Sequence, residues 1–176
     1  YTISCDKLPG SRGLGQPVRL MIELANDQDV VALFVHRSGR RLLVASTDGR
    51  GFVIKEDGVL AEKRTGKQVL NPVKPAEACI CVAADGDSVA VVGDNRRLLL
   101  FPAAEVPVLA RGRGVILQRY RDGGLSDTKM FNKADGLSWR TGAGVRNEGA
   151  ATDWWGKRSQ AGRVAPRGFP KCNKFG

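Results

Sequence analysis

The sequence predicts an all-β chain, a propeller-like array of four-stranded blades made of about three to four repeats of 46–53 residues. Three observations predict it. Glycine–basic clusters recur as SRGLGQPV (11–18), KRTGKQVL (63–70), LARGRGVI (109–116) and SQAGRVAP (159–166), and anchoring them on Gly13, Gly66, Gly112 and Gly162 gives separations of 53, 46 and 50. Short β-branched and apolar runs come in sets between turn sequences, and no stretch shows a long helical period. Glycine is abundant, 22 of 176 residues against a usual share of roughly 7%, which suits a chain with many tight turns.

The elements follow in order. YTISCDKLPGSRG (1–13) resembles FVIKEDGVLAEKRTG and LLLFPAAEVPVLARGRG, so residue 1 enters at the last strand of a unit, whose other strands lie upstream or come from ring closure. DVVALFV (29–35), RLLVAS (41–46) and GFVIK (51–55) are the strands of the next unit, and ACICVAA (78–84), SVAVVG (88–93) and RLLLF (97–101) repeat them. Gly39 and Gly86, 47 apart, are expected to centre matching hairpins at Ser38–Gly39 and Asp85–Gly86, and Asp48-Gly49 matches Asp94-Asn95. TKMFN, GLSWR and GVRN form a third, weaker copy with shorter, more polar strands. AAEVPVL (103–109) and TDWWGK (152–157) allow at most a helical turn or two, Pro107 cutting the first short. The organisation expected is a partial unit 1–28, units 29–77 and 78–126, a weaker unit 127–162, and a basic Pro/Gly tail 163–176, extended and anchored by Phe169 and Phe175.

Composition narrows the function. Apolar residues at 42% and charged residues at 26% are those of a folded globular chain, and no apolar run approaches the ~20 residues of a membrane-spanning helix. With neither an initiator Met nor a signal-peptide pattern at Tyr1, the chain reads as a fragment or processed piece. The net charge of +10 favours a polyanionic partner, and it is concentrated: residues 111–176 hold 14 Lys+Arg against 5 Asp+Glu. The four cysteines (Cys5, Cys79, Cys81, Cys172) include no CxxC, and His36 is the lone histidine, so zinc lacks its ligand spacing. Free buried thiols in a cytosolic protein are expected, with Cys79 and Cys81 on one strand face.

Enzyme motifs are missing: there is no HExxH, GxxxxGK[ST] or GxSxG, and Gly142-Ala143-Gly144 lacks the spacing and helix of a dinucleotide turn. Asp48, Asp85, Asp87 and Asp94 sit at turns, where aspartate serves turn geometry. Catalysis by this chain, and a cofactor of its own, are not expected. The glycine–basic loops suit phosphate instead, because glycine uncovers backbone N–H groups beside forked arginine donors. The candidate contacts are Arg12, Arg64, Lys67, Arg111, Arg113, Lys157, Arg158 and Arg163, with the pairs Arg40-Arg41 and Arg96-Arg97 extending the basic rim. Trp139, Trp154 and Trp155 are expected to pack the core of the short blade, base stacking being the alternative.

The runs DGRGFVIKEDGVLAEKRTGKQVLN and VVGDNRRLLLFPAAEVPVLARGRG resemble the C-terminal domain of the A subunit of bacterial topoisomerase IV, and the ending RSQAGRVAPRGFPKCNKFG is similar to alphaproteobacterial versions. The resemblance implies a β-pinwheel, with strands exchanged between neighbouring blades, whose basic rim binds and bends duplex DNA for presentation to a cleavage core. It implies decatenation and supercoil relaxation by the parent enzyme, and a cytoplasmic, nucleoid-associated setting. The partners implied are double-stranded DNA, the rest of the A subunit and, through it, the B subunit. ATP and Mg²⁺ would be used elsewhere in that enzyme. The related gyrase A subunit has a QRRGGKG-like box for chiral wrapping, which none of RGLG, RTGKQ, RGRG and QAGR matches. The catalytic tyrosine belongs to an upstream domain, so neither Tyr1 nor Tyr120 takes that role. A protein-interaction module and a stand-alone regulator of the topoisomerase are the rival readings.

Overall fold

A computed structural model describes residues 1–10, 12–149 and 152–176; Ser11, which opens the first glycine–basic cluster, and Ala150 and Ala151 lie outside the described residues. The strands are β1 (Arg41–Ser46), β2 (Arg50–Lys55), β3 (Ala78–Ala83), β4 (Ser88–Gly93), β5 (Arg97–Pro102), β6 (Val115–Ile116), β7 (Leu125–Phe131), β8 (Leu137–Thr141), β9 (Gly144–Glu148) and β10 (Arg163–Val164). Among the described residues, helix is confined to one turn at Val18–Met21 and to short 3-10 turns, two of them at Ala103–Glu105 and Thr152–Trp154. The fold is all-β, as the repeats predict.

Two four-stranded antiparallel sheets have the orders β3-β1-β2-β6 and β10-β5-β4-β7, and β8-β9 forms a third, two-stranded sheet. Each four-stranded sheet is a tight hairpin flanked by strands from elsewhere in the chain. β3 pairs with β1 and β7 with β4, both antiparallel. The hairpins therefore fall at residues 47–49, 94–96 and 142–143. Those expected at Ser38–Gly39 and Asp85–Gly86 do not form: Asp85–Gly86 crosses from one sheet to the next because β3 belongs to the sheet before β4. Residues 29–35, expected as a strand, form none and are exposed.

Burial explains why four strands read as unbroken apolar runs. Leu43 and Ala45 of β1 meet Val89 and Val91 of β4, with Leu99, Phe101 and Leu117, in a core between the two sheets. Leu42, Val44, Phe52 and Ile54 form a second core on the far face of the first sheet. Ala90, Val92, Leu98 and Leu100 form a third with Leu137, Trp139, Phe169 and Phe175. A sheet covered on both faces has no polar side to alternate with. Trp139 is 1% exposed, its ring 5.4 Å from that of Phe169. Trp154 and Trp155 pack against the same core, Trp154 Nε1 donating to Val164 O at 2.8 Å. All three tryptophans thus pack against this core, as the sequence leads one to expect.

The thiols differ from the expectation in two respects, their exposure and the faces they occupy. All four cysteines are free, but Cys5 and Cys172 are exposed and only Cys79 and Cys81 are half-buried. Ala45 pairs with Ile80 and Ser46 with Ala78, which leaves Cys79 as the extra residue of a bulge. The bulge shifts the alternation, so Cys79 packs into the inter-sheet core and Cys81 against the opposite face. Burial raises both thiols, Cys79 to about 11.

Candidate nucleic-acid interface

Two of the four glycine loops, those of Gly114 and Gly162, lead into β6 and β10, the edge strands beside β2 and β5. The structural anchors of the four loops are Gly15, Gly66, Gly114 and Gly162, with φ of +75°, +78°, +76° and +73°. The separations are then 51, 48 and 48, tighter than those from Gly13 and Gly112. Each loop turns on a left-handed residue, which glycine adopts without the steric cost a β-carbon brings. The next sheet residue packs against the bare Cα: a β-carbon on Gly114 would lie 2.4 Å from Gly51 O, and one on Gly162 2.4 Å from Leu98 O.

Arginine stitches the same junction in both sheets. Arg50, which opens β2, donates to Gly114 O at 3.4 Å, and Arg97, which opens β5, donates to Gly162 O at 3.1 Å. Arg50 and Arg97 are 47 residues apart, one repeat.

The candidate cations fall into three groups. Arg12, Arg41, Arg111, Lys157 and Arg163 stand exposed. Arg64, Lys67, Arg97 and Arg113 are exposed yet tethered: Arg64 donates to Leu20 O, Lys67 to Gly58 O, and Arg113 to Asp48 Oδ2 at 3.1 Å. Arg40, Arg96 and Arg158 are committed inward. Arg40 pairs with the buried Glu56 carboxylate, donates to Val35 O at 3.0 Å and lies over the Phe34 ring. Arg96 donates to Phe169 O, Pro170 O and Asn173 Oδ1, which holds the C-terminal segment. Arg158 donates to Ile116 O at 2.6 Å, and its backbone N–H to Glu105 Oε2.

Electrostatics follow these contacts. Burial alone would raise the Asp48 carboxyl, but the Ser46 hydroxyl and the Arg113 guanidinium together hold it below the usual carboxylate range. The Arg40 hydrogen bond, opposed by burial, holds Glu56 low as well.

Two cations outside the sequence candidates join the edge. Arg119 and Arg121, with Arg97, Asn95, Asp122 and Ala161, line a cavity of about 230 Å³. Arg119 is fixed beside the fourth loop by its backbone N–H, which donates to Gln160 O at 3.1 Å. The signal was the alternation in QRYRD: in extended backbone, half-buried Tyr120 points inward and Arg119 and Arg121 outward.

Antiparallel sheets buried on both faces, sharing strands and carrying a basic loop at one edge, define a strand-exchanged β-propeller. The family described as the DNA gyrase C-terminal domain, beta-propeller, matches residues 40–74 and 87–125. Over 176 residues the chain is 44% identical to the A subunit of DNA topoisomerase 4 from Caulobacter vibrioides and 38% identical to that from Rickettsia bellii, with 99% of this chain covered in each case. It spans 23% and 24% of those proteins, about a quarter of their length. In fold it is similar to the Escherichia coli ParC C-terminal domain, with a TM-score of 0.81 at 22% identity over 96% of this chain and 73% of that one. The chain belongs to the gyrase A C-terminal-domain family, as the C-terminal β-pinwheel of a topoisomerase IV A subunit.

Proposed function

We propose that this domain binds and bends duplex DNA and presents it to the cleavage core of a type II topoisomerase, for decatenation and supercoil relaxation in chromosome segregation. The observation that carries the reading is the recurrence of exposed cations on four left-handed glycine loops, two of which lead into the edge strands of the two four-stranded sheets, in a chain of net charge +10. Arg111, Arg163, Arg119 and Arg121 are the principal phosphate contacts, with Arg12, Arg41 and Lys157 beside them and the tethered Arg64, Lys67, Arg97 and Arg113 able to swing out. Arg40, Arg96 and Arg158 hold the scaffold. Bending a 20–30 bp site by 40–90° costs on the order of 1–6 kcal/mol, which several charge-assisted contacts offset. The domain works with the rest of its own subunit, and through it with the B subunit, in the bacterial cytoplasm. ATP and Mg²⁺ act elsewhere in the enzyme, and this chain supplies neither a nucleophile nor a cofactor site.

The test is a quadruple variant, R111A/R119A/R121A/R163A, titrated against unrelated duplexes across a salt series. Phosphate contacts carry no base information, so affinity should fall alike for all sequences. Removing one phosphate contact should lower the salt slope by about 0.9, so the four substitutions should lower it by roughly 3–4. An R167A/K171A variant, which removes exposed charges from the C-terminal segment, should keep most of the slope. A folded quadruple variant that binds as wild type would exclude the loop edge and favour a partner-protein surface.

A further inference from the structure

The junctions beside β2 and β5 share one backbone frame but differ in what fills it. Ala45 faces Gly51 in the first hairpin and Val92 faces Leu98 in the second, a register that sets Asp48 against Asn95 and Arg50 against Arg97. Arg50 faces Ile116 and Arg97 faces Val164, which sets Arg113 against Ala161. Asn71 N donates to Gly112 O at 2.9 Å as Arg119 N donates to Gln160 O at 3.1 Å, so Asn71 stands where Arg119 stands, and Leu70 where Gln118 stands.

At the first junction the protein supplies its own anion. The half-buried Asp48 carboxylate accepts from Arg113 at 3.1 Å and lies 3.9 Å from Arg50 Nε. At the second junction both partners of that ion pair are replaced by neutral residues, Asn95 and Ala161. There, in place of the pair, lies the cavity of about 230 Å³ onto which Arg97, Arg119 and Arg121 open. Asp122 is the carboxylate on its wall, and among the described residues it forms no ion pair with the three arginines.

Hydrogen bonds fix the walls of this cavity. Buried Gln118 donates to Arg97 O at 3.0 Å and to Ala161 O at 2.8 Å, and accepts from the Tyr120 hydroxyl at 3.0 Å. Leu70 cannot make this clamp at the first junction. Asn95 Nδ2 donates to Asp122 O at 3.3 Å and ties the opposite wall. Donors positioned before a ligand arrives lose less freedom when it binds.

We propose that the cavity is a binding site for one tetrahedral oxyanion of the phosphate class, held by Arg97, Arg119 and Arg121 in the place that the Asp48 carboxylate fills at the first junction. Its occupant is a phosphodiester of duplex DNA, which rests on the DNA-binding function proposed above; inorganic phosphate shares the chemistry. The first junction is the weaker anchor, because an incoming phosphate must displace a carboxylate already seated there.

Two measurements on this chain test it. In a titration with inorganic phosphate, the Nε–Hε NMR signals of Arg97, Arg119 and Arg121 should shift together and saturate. Asn95→Asp, which places a carboxylate where Asp48 stands, should abolish that response, and Asp48→Asn should add Arg50 and Arg113 to the responding set. Asn95→Asp retains the oxygen that accepts from Arg97 N at 3.2 Å, and an unchanged unfolding midpoint checks that it folds. In duplex titrations across a salt series, Asn95→Asp should weaken binding by about tenfold and lower the salt slope by about 0.9. Arginine signals that phosphate leaves unshifted, or shifts alike in wild type and Asn95→Asp, would overturn the site. A phosphate response intact in wild type, with Asn95→Asp binding duplex as tightly as wild type, would overturn DNA as the occupant in favour of free phosphate. A wild-type chain that bound phosphate but no duplex would instead overturn the DNA-binding function and leave the site standing.

Discussion

At Gly162 a β-carbon would lie 2.4 Å from Leu98 O and 2.9 Å from Gln118 Nε2, and the backbone is left-handed at φ +73°. Gly15 has nearly the same φ, +75°, but nothing lies within 4 Å of its would-be β-carbon. The pair separates conformational strain from close approach. Gly15→Ala should cost only the left-handed penalty, about 1–2 kcal/mol. Gly162→Ala must also push β10 off β5 against a backbone atom that cannot yield, so its cost should exceed about 3 kcal/mol. Urea unfolding midpoints check both; equal losses would mean that the glycine is there for its φ alone. The corresponding hairpin position shows how a side chain is tolerated in this region. Gly49 has φ +78°, and one repeat later Arg96 takes φ +61°, held by three acceptors on the C-terminal segment.

Elements are pinned to one another by carboxylates at strand ends. Glu56 follows β2, is 1% exposed, and accepts from the Arg40 guanidinium before β1 and from Arg37 N at 3.0 Å. The Arg40 hydrogen bond keeps its folded pKa below the ordinary value, and Asp48 is likewise lowered at the β1–β2 turn. A carboxyl lowered in the folded state stabilises it above the unfolded pKa of roughly 4, and that contribution is lost as pH falls through the folded value. Thermal unfolding should therefore soften steadily below about pH 4.5. Glu56→Gln should lower stability at neutral pH and flatten that acid limb. An unchanged acid limb would mean that Glu56 is not one of the groups responsible.

How much of this was legible varies element by element. RLLVAS, GFVIK, SVAVVG and RLLLF declared themselves because both faces of their sheets are buried. DVVALFV carries the same signal but forms no strand, since a run announces a strand without naming its partner. For that reason too, Asp85–Gly86 read as a hairpin when it is a crossover. The Cys79 bulge depends on pairing register, which composition does not encode. Among the arginines, Arg40 and Arg96 read as rim cations because Glu56 lies 16 residues away and Asn173 lies 77 away. Only the folded chain brings those acceptors to them.

At the scale of the molecule, the C-terminal segment is part of the core and not a loose basic extension. β10 adds to the second sheet, and Phe169 and Phe175, 3% and 4% exposed, complete the core around Trp139. The Trp139 indole donates to Gly168 O at 3.4 Å, Phe175 N donates to Asp127 Oδ2 at 2.7 Å, and Lys174 reaches Ser126 O. The segment thus closes the far face of the second sheet against the β8-β9 hairpin, which brings too few strands of its own. Phe169→Ala should cost about 3–5 kcal/mol, as deletion of a buried aromatic does. Truncation before Phe169 should cost more and expose Trp139, seen as a red shift in tryptophan fluorescence and a lower thermal midpoint. A truncated chain with an unshifted spectrum and midpoint would make the segment an appendage. Because the segment carries both positive charge and core side chains, loss of DNA binding on truncation would report unfolding as readily as a missing phosphate contact. Point removal of Arg167 and Lys171, which are exposed and outside this core, should keep the blade intact and isolate the electrostatic part.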